Sequence, residues 1–285
     1  MILSDRWRDY RVLDAGDGEK LERWGEFTLR RPDPQAIWPK HAPDEWARAD
    51  AAYERSEKGG GEWRFHRALP ADWRVRYGDM TFKVRPTGFK HTGLFPEQAA
   101  NWDFMREFIA RRDGARVLNL FGYTGGATVA CTAAGAFVTH VDAAKGMALW
   151  AGENFRLNEA RGKVRWIVED ALKFVRREAR RGARYDGIVM DPPSFGRGPN
   201  GEVWKLEDAI YGLAEECAAL LSERPLFYLI NSYTTGLSPS VLKNILEMTA
   251  GKRIEGRAEA SELGLPIDSG GALPCGACGR FTTVG

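Results

Sequence analysis

Four short apolar runs in this chain each end in a group that can bind or react. Val117-Leu118-Asn119-Leu120-Phe121 runs into the turn Gly122-Tyr123-Thr124-Gly125-Gly126. Val141-Asp142 closes a second run, Glu169-Asp170 a third, and Val189-Met190-Asp191-Pro192-Pro193-Ser194-Phe195 a fourth. Open α/β sheets bind ligands outside the carboxyl ends of their strands, so glycines, acids and an Asp-Pro-Pro corner arriving there in order define a candidate site. The turn limits the ligand. A pyrophosphate cradle needs G-x-G-x-x-G, whose second glycine lets the backbone approach a phosphate. Here Phe121 holds the first glycine position, and Tyr123 and Thr124 separate Gly122 from Gly125. The spacing is wrong for a pyrophosphate cradle.

Each strand end suggests a role and a plainer use. Asp142 stands where an acid accepts hydrogen bonds from ribose hydroxyls, and such charge-assisted bonds are the strong ones. It can also simply cap the next helix. Asp170 can cap the helix starting at Ala171 while its remaining lone pairs stay available. In Asp191-Pro192-Pro193, two prolines fix the backbone and remove two donors, which leaves nearby carbonyls to accept from an amine. Phe195 can stack on a planar base. The segment Gly196 to Trp204 reads as a Gly/Pro loop, a substrate lid or plain disorder.

These groups need a parallel sheet to position them. From His91 onward helical and strand patterns alternate, which marks a mainly parallel α/β sheet. Strands are expected near residues 116–121, 137–142, 164–168, 185–190 and 225–231. Helices are expected near 97–111, 125–134, 145–158, 170–181, 206–222 and 240–249. A short final strand is expected from Arg280 to Val284. Residues 1–90 read as a separate, mostly β module, and 91–285 as the α/β domain. In the module, strands are expected at Tyr10 to Asp14 and Trp24 to Leu29, a helix at Asp44 to Glu57, and a break at Lys58 to Gly61. A hairpin of period two pairs Trp73 to Tyr77 with Thr81 to Arg85, projecting Arg74, Arg76, Lys83 and Arg85 from one face.

Composition excludes several classes. The 285 residues carry 41 Lys+Arg against 39 Asp+Glu, so any nucleic-acid surface must be local. The hairpin is one candidate; a helix face bearing Arg176, Arg177, Arg180 and Arg181 is its rival. No apolar run approaches a membrane span of ~20 residues. No basic-then-apolar leader opens the chain, so a cytoplasmic location is expected. The cysteines Cys131, Cys217, Cys275 and Cys278 are few and uneven, as in reducing compartments. Cys275-Gly276-Ala277-Cys278 lacks two further zinc ligands, and no metal site is expected. It reads as a Gly-rich turn before the last strand.

Taken together, the strand ends and the runs Lys90 to Gln98, Leu118 to Gly126, Val141-Asp142, Asn154 with Asn158, Glu169-Asp170 and Asp191-Pro192-Pro193 resemble class I S-adenosylmethionine-dependent methyltransferases. In particular they are similar to the 23S ribosomal RNA large-subunit methyltransferase I family and its 7-methylguanine relatives, over about residues 72 to 235. The resemblance implies a Rossmann-like fold, S-adenosyl-L-methionine as cofactor and an RNA substrate, with oligomeric state open. It places cofactor contacts at Asn119, Phe121, Gly122, Tyr123, Thr124, Gly125, Asp142, Asp170 and Asp191. Asp191, Pro192, Pro193 and Phe195 become the catalytic corner. Many such enzymes contact the methionine ammonium through an acid where this chain has Asn119. The 5-methylcytosine members carry an N-terminal PUA domain, which residues 1–70 do not resemble. They also use a cysteine after the fifth strand, where this chain reads Ile230-Asn231-Ser232-Tyr233-Thr234-Thr235. Cytosine C5 needs a thiolate adduct before it attacks, whereas a nitrogen does not. The expected acceptor is therefore a base nitrogen. Cytosine C5, a small-molecule or protein amine, and a non-catalytic RNA-binding module are the alternatives.

Overall fold

The computed structural model describes residues 1–56, 60–197 and 203–283. The chain divides into two compact units, Met1–Ala100 with Leu263–Cys275, and Asn101–Glu262 with Gly276–Gly285. No break in composition announces the return of 263–275 to the first unit.

The second unit is an α/β sheet wound in both directions. Helix α1 (Ala99–Ile109) leads into β1 (Arg116–Leu120), α2 (Gly126–Ala133), β2 (Phe137–Asp142), α3 (Lys145–Arg156), β3 (Lys163–Val168), α4 (Ala171–Arg180) and β4 (Gly187–Met190). Then follow α5 (Leu206–Ala218), β5 (Phe227–Ser232), α6 (Pro239–Thr249), β6 (Gly256–Pro266) and β7 (Ala272–Thr283), with residues 263–266 of β6 and 272–275 of β7 counted in the first unit. The sheet order is β6-β7-β5-β4-β1-β2-β3, and within the first unit Ile2–Leu3 pairs in parallel with Leu263 and Gly264. Strands β1 to β5 pair with one another in parallel, and β7 is antiparallel to β5. Central strands β4 and β5 are buried at every residue, because helices cover both faces. At the edge, β3 is only partly buried. One core holds Leu118, Leu120, Ile188, Met190, Tyr228 and Ile230 from the strands against Phe174, Leu213, Leu242 and Leu246 from the helices.

The five expected strands and the helices between them all form. The long β6 is an addition, and β7 starts at Ala272 rather than Arg280. Their pattern is interrupted by glycines and half-exposed polar residues, so pairing along the sheet, not local periodicity, makes them strands. Val284 lies outside the described residues. Cys275 to Cys278 fall inside β7, not in a turn.

In the first unit, Tyr10–Gly16, Glu19–Trp24, Phe27–Pro32, Ala51–Arg55 and Gly61–Phe65 form a sheet in that order. Asp17 and Gly18 both take positive φ, the geometry of a two-residue type I′ hairpin turn. The strand expected from Trp24 to Leu29 is instead a second hairpin, because Gly25 turns the chain at φ 64° and pairs Trp24 with Phe27. The helix expected over Asp44 to Glu57 shrinks to Pro43–Trp46. Ala51 to Arg55 pair with Gly61–Phe65, and Ala51 and Ala52 also with Leu29 and Arg30, a tertiary override of weak helix propensity. Of the expected break, 58 and 59 lie outside the described residues and Gly61 opens a strand. The hairpin Trp73–Tyr77 and Met80–Val84 forms with Trp73, Val75 and Tyr77 buried and Arg74 and Arg76 exposed. Inside this unit Glu22 is fully buried. Its carboxylate accepts from Arg31 Nε at 2.6 Å and from Tyr10 Oη at 2.6 Å. Burial pushes the Glu22 carboxyl up, but the Arg31 and Lys20 charges outweigh that and hold it at about 2.

Candidate functional site

Strand register assembles the site. Leu120 pairs with Val141 on one side and Met190 on the other, and Met190 pairs with Ile230. The next residues, Asn231, Asp191, Phe121 and Asp142, therefore form one row at the carboxyl edge, in the order β5, β4, β1, β2. Neighbouring strands lie ~4.8 Å apart, so Asp191 and Asp142 flank the Phe121 turn from opposite sides. Between β1 and β4 the winding reverses, and a crevice opens there by topology alone.

The turn after β1 is strained and heavily supported. Phe121 and Tyr123 take φ of 56° and 48°, a region that L-residues other than glycine seldom occupy, and Gly125 follows at 86°. Such strain persists where surroundings over-determine it. Tyr123 N–H donates to Asp142 Oδ2 at 2.8 Å. Asn154 Nδ2 donates to the Thr124 carbonyl at 2.8 Å, with both residues buried. Asn158 Nδ2 in turn donates to the Asn154 carbonyl at 2.7 Å. The three glycines are required by packing, not by a phosphate. A Cβ on Gly122 would overlap the His140 ring, one on Gly125 would lie 2.9 Å from Ala151 Cβ, and one on Gly126 2.7 Å from the Trp102 ring.

Beneath the turn runs a buried polar chain. Asn119 Nδ2 donates to Thr128 Oγ1 at 2.9 Å, and Thr128 Oγ1 lies 2.9 Å from His140 Nδ1. All three residues are buried. Burial lowers the His140 pKa to about 4, so the ring is neutral at pH 7. Asn119 is thus engaged inside the sheet.

Asp142 is half-buried, and burial raises its pKa, opposed by the amides of Ala144 and Tyr123. Its Oδ1 accepts from Ala144 N–H at 2.8 Å. Each carboxylate oxygen thus uses one acceptor site and keeps another. Asp170 is exposed and caps α4, accepting from Lys173 N–H at 2.9 Å, which satisfies one of the helix's orphan donors.

At the end of β4, Pro192 is buried and Pro193 exposed. The sequence leaves the corner's carbonyls open; the fold fills two of them. Trp204 Nε1 donates to the Pro193 carbonyl at 2.7 Å, and Leu206 N–H to the Ser194 carbonyl at 3.1 Å. Thr234 Oγ1 donates to Ser194 Oγ at 2.8 Å, tying the corner to the segment after β5. The stretch expected as a loop is a β-ribbon, Phe195–Arg197 against Val203–Lys205, and 198–202 lie outside the described residues. Gly196 pairs with Trp204 and Phe195 with Lys205, so Phe195 and Trp204 project to opposite faces. Phe195 is 54% exposed, whereas Trp204 packs against Phe121 with ring centroids 5.9 Å apart. Trp204 escaped the sequence reading; a tryptophan in a glycine-rich, polar stretch was its available signal.

Behind Asp191, Asn101 Nδ2 donates to Asn231 Oδ1 at 3.0 Å, and Arg280 Nη2 donates to Asn101 Oδ1 at 2.6 Å. Cys278 pairs in register with Asn231 and donates its thiol to Asn101 Oδ1 at 3.3 Å. Burial pushes all four thiols up, Cys131 to about 12. No group of metal-ligating side chains exists among the described residues. Of the rival basic face on α4, Arg176 pairs with Glu216, Arg177 with Glu169 and Arg181 with Glu178. No helix among the described residues is long and apolar enough to cross a membrane.

Comparison with known proteins fits this geometry. The profile of the S-adenosylmethionine-dependent methyltransferase family matches residues 52–210. Ribosomal RNA large subunit methyltransferase K/L of Shewanella sp. (strain ANA-3) is 40% identical over 125 residues, covering 42% of this chain and 17% of its own length. The protein of that name from Pseudoalteromonas atlantica is 33% identical over 218 residues, covering 68% of this chain and 30% of its own. The chain thus spans a minor part of these curated relatives, whose designation is K/L rather than I. The crystal structure of a SAM-dependent methyltransferase from Agrobacterium tumefaciens is 37% identical, with a TM-score of 0.92 over 99% of this chain and 93% of that one.

Proposed function

The chain belongs to the S-adenosylmethionine-dependent methyltransferase family, and on that premise we propose that it methylates a base nitrogen in RNA, with ribosomal RNA as the substrate. The relatives' names support the RNA assignment. The observation that carries the nitrogen assignment is the Asp191 corner standing beside the Phe121 turn without an ionisable thiol.

S-adenosylmethionine is the cofactor, and its sulfonium supplies an electrophilic methyl group. The site fits a phosphate-free nucleoside: the glycines are filled by protein packing, and Asp142 keeps two acceptor sites for ribose hydroxyls. Phe121 to Gly125 form the floor, and Asp170 beyond β3 offers its remaining lone pairs to an amine at the far end. Asn119, bound to Thr128, acts from below by holding the β1 end in place.

Asp191 and the Pro192 carbonyl are the acceptors for the hydrogens of an attacking amine, since the Pro193 and Ser194 carbonyls are already used. Holding those hydrogens aims the nitrogen lone pair at the methyl carbon at a near-attack distance of ~3–3.5 Å. As the nitrogen–methyl bond formed, the sulfonium–methyl bond would break and release neutral S-adenosylhomocysteine; the positive charge on the nitrogen would sit beside Asp191 until the amine proton passes to solvent. A C5 reaction needs a thiolate. Cys278, the cysteine paired with Asn231 beside Asp191, is buried, protonated and engaged with Asn101.

The test is Asp191→Ala assayed on unmodified large-subunit ribosomal RNA transcripts, with nucleoside mass mapping of the product. Transfer should fall by on the order of a hundredfold while affinity for S-adenosylhomocysteine changes little. A methylated carbon in the mapped nucleoside, or full activity in the variant, overturns the proposal.

A further inference from the structure

We propose that Trp204 is a specificity-determining wall of the acceptor pocket, stacking a planar base and fixing which carbonyl its amine can reach. The inference rests on the methyl-transfer reading for the identity of the pocket. It adds Trp204 to the site and gives it the base-stacking role that the sequence suggested for Phe195.

Three observations converge on Trp204. Its ring lies against Phe121, with centroids 5.9 Å apart and planes at 47°. Phe121 is the first residue of the strained turn, so Trp204 and Phe121 form one aromatic surface from the turn after β1 toward the corner after β4. The indole N–H donates to the Pro193 carbonyl at 2.7 Å, which fixes the ring against the corner and removes that carbonyl from the acceptors open to an amine. The ribbon register then puts Trp204 on the face opposite Phe195, and Leu206 N–H to the Ser194 carbonyl at 3.1 Å anchors the end of the ribbon. Trp204 is also only half-buried although it packs on the core.

Chemistry selects the ligand class. A large aromatic face with its only polar atom already bonded cannot read a substrate by hydrogen bonds. It can stack a flat ring, and bases stack on aromatic side chains with little dependence on sequence. Selectivity would come from the neighbouring acceptors. With Pro193 occupied, an amine lying along Trp204 meets Asp191 and the Pro192 carbonyl. Phe195, exposed on the other face of the ribbon, would serve contacts away from the reacting base.

Two variants separate the functions. Trp204→Phe keeps a ring and frees the Pro193 carbonyl, whereas Trp204→Leu removes both. Each is titrated with the four ribonucleoside monophosphates in the presence of S-adenosylhomocysteine, following tryptophan emission, and assayed for transfer to the ribosomal transcript. At least one nucleotide should quench the wild type and leave the emission of both variants unchanged. In the transfer assay Trp204→Leu should raise KM for RNA about tenfold or more. Trp204→Phe should lower kcat more than it raises KM, with affinity for S-adenosylhomocysteine kept within about threefold in either assay. If no nucleotide quenches the wild type, or the variants are quenched equally, the proposal is overturned. Quenching that depends on Trp204 with no transfer to the transcript keeps the pocket and removes ribosomal RNA as substrate. Should Trp204→Leu fail to fold, Trp204→Phe alone decides.

Discussion

Replacing Asp142 should uncouple the cofactor from its turn, and the size of the effect follows from the geometry. Its Oδ2 holds Tyr123 N–H at 2.8 Å and its Oδ1 holds Ala144 N–H at 2.8 Å. The Ala144 bond is solvent-exposed, so water replaces it in an alanine variant at little cost. The Tyr123 bond is part-buried and supports a residue at φ 48°. Losing a hydrogen bond to a charged acceptor costs ~1.5–3 kcal/mol. Relief of the carboxylate's own burial, which raises its pKa, offsets part of this. A net loss of about 2 kcal/mol lowers Tm by roughly 4–8 °C in a domain of this size. On the proposed ribose assignment, cofactor affinity should fall further, because two hydroxyls would lose a charged acceptor. At ~1.5 kcal/mol each, that is about a hundredfold. Asp142→Asn keeps the shape and one acceptor oxygen, so it should retain most of the Tm and little of the affinity. Calorimetric titration with S-adenosylhomocysteine, beside thermal melts, reads both. Because the folded pKa is raised, cofactor affinity in the wild type should begin to fall, on acidification, at a higher pH than an ordinary aspartate would give. An alanine variant that binds the cofactor as tightly as wild type would refute the assignment of Asp142.

Other outcomes follow from the same structure. His140 is fully buried and neutral with its pKa near 4, against ~6.5 unfolded, so its contribution is complete above pH 6.5 and is lost as pH falls toward 4. That loss is about 3 kcal/mol, and denaturant melts from pH 7 to pH 4 should show it in wild type and not in His140→Gln. Arg31→Leu leaves Glu22 buried with Lys20 at 3.5 Å as its remaining cation, and should destabilise by about 3 kcal/mol in urea unfolding. Arg74→Glu with Arg76→Glu should weaken RNA binding and reduce the slope of log affinity against log salt by about 1.4; an unchanged slope removes the hairpin as an RNA surface. Serine at Cys131, Cys217, Cys275 and Cys278, one at a time, should leave kcat intact, and 5-fluorocytosine-substituted RNA should trap no adduct with the wild type.

Local physics wrote much of this protein into its sequence. Continuous apolar runs at Val117 to Leu120 and Gly187 to Met190 announce strands covered on both faces, and the glycines after Leu120 announce a turn. Alternation in Trp73 to Tyr77 gives the hairpin and its exposed arginines. Asp142, Asp170 and Asp191 are legible because a strand end is a local signal. What tertiary structure decided depends on partners distant in the chain. Ala51 to Arg55 became a strand because two neighbours pair with it, and the glycine-interrupted stretch from Gly256 to Pro266 became one because the sheet extends to it. The site's finer chemistry is of the same kind. That Asn119 is spent on Thr128, that Gly122 is glycine because of His140, and that the Pro193 carbonyl belongs to Trp204 are facts about side chains meeting across strands and loops. A sequence fixes the period of an element and the residues at its ends. Which buried donor finds which acceptor is set only when packing brings the elements together, because nearly all buried polar groups must then find partners at once.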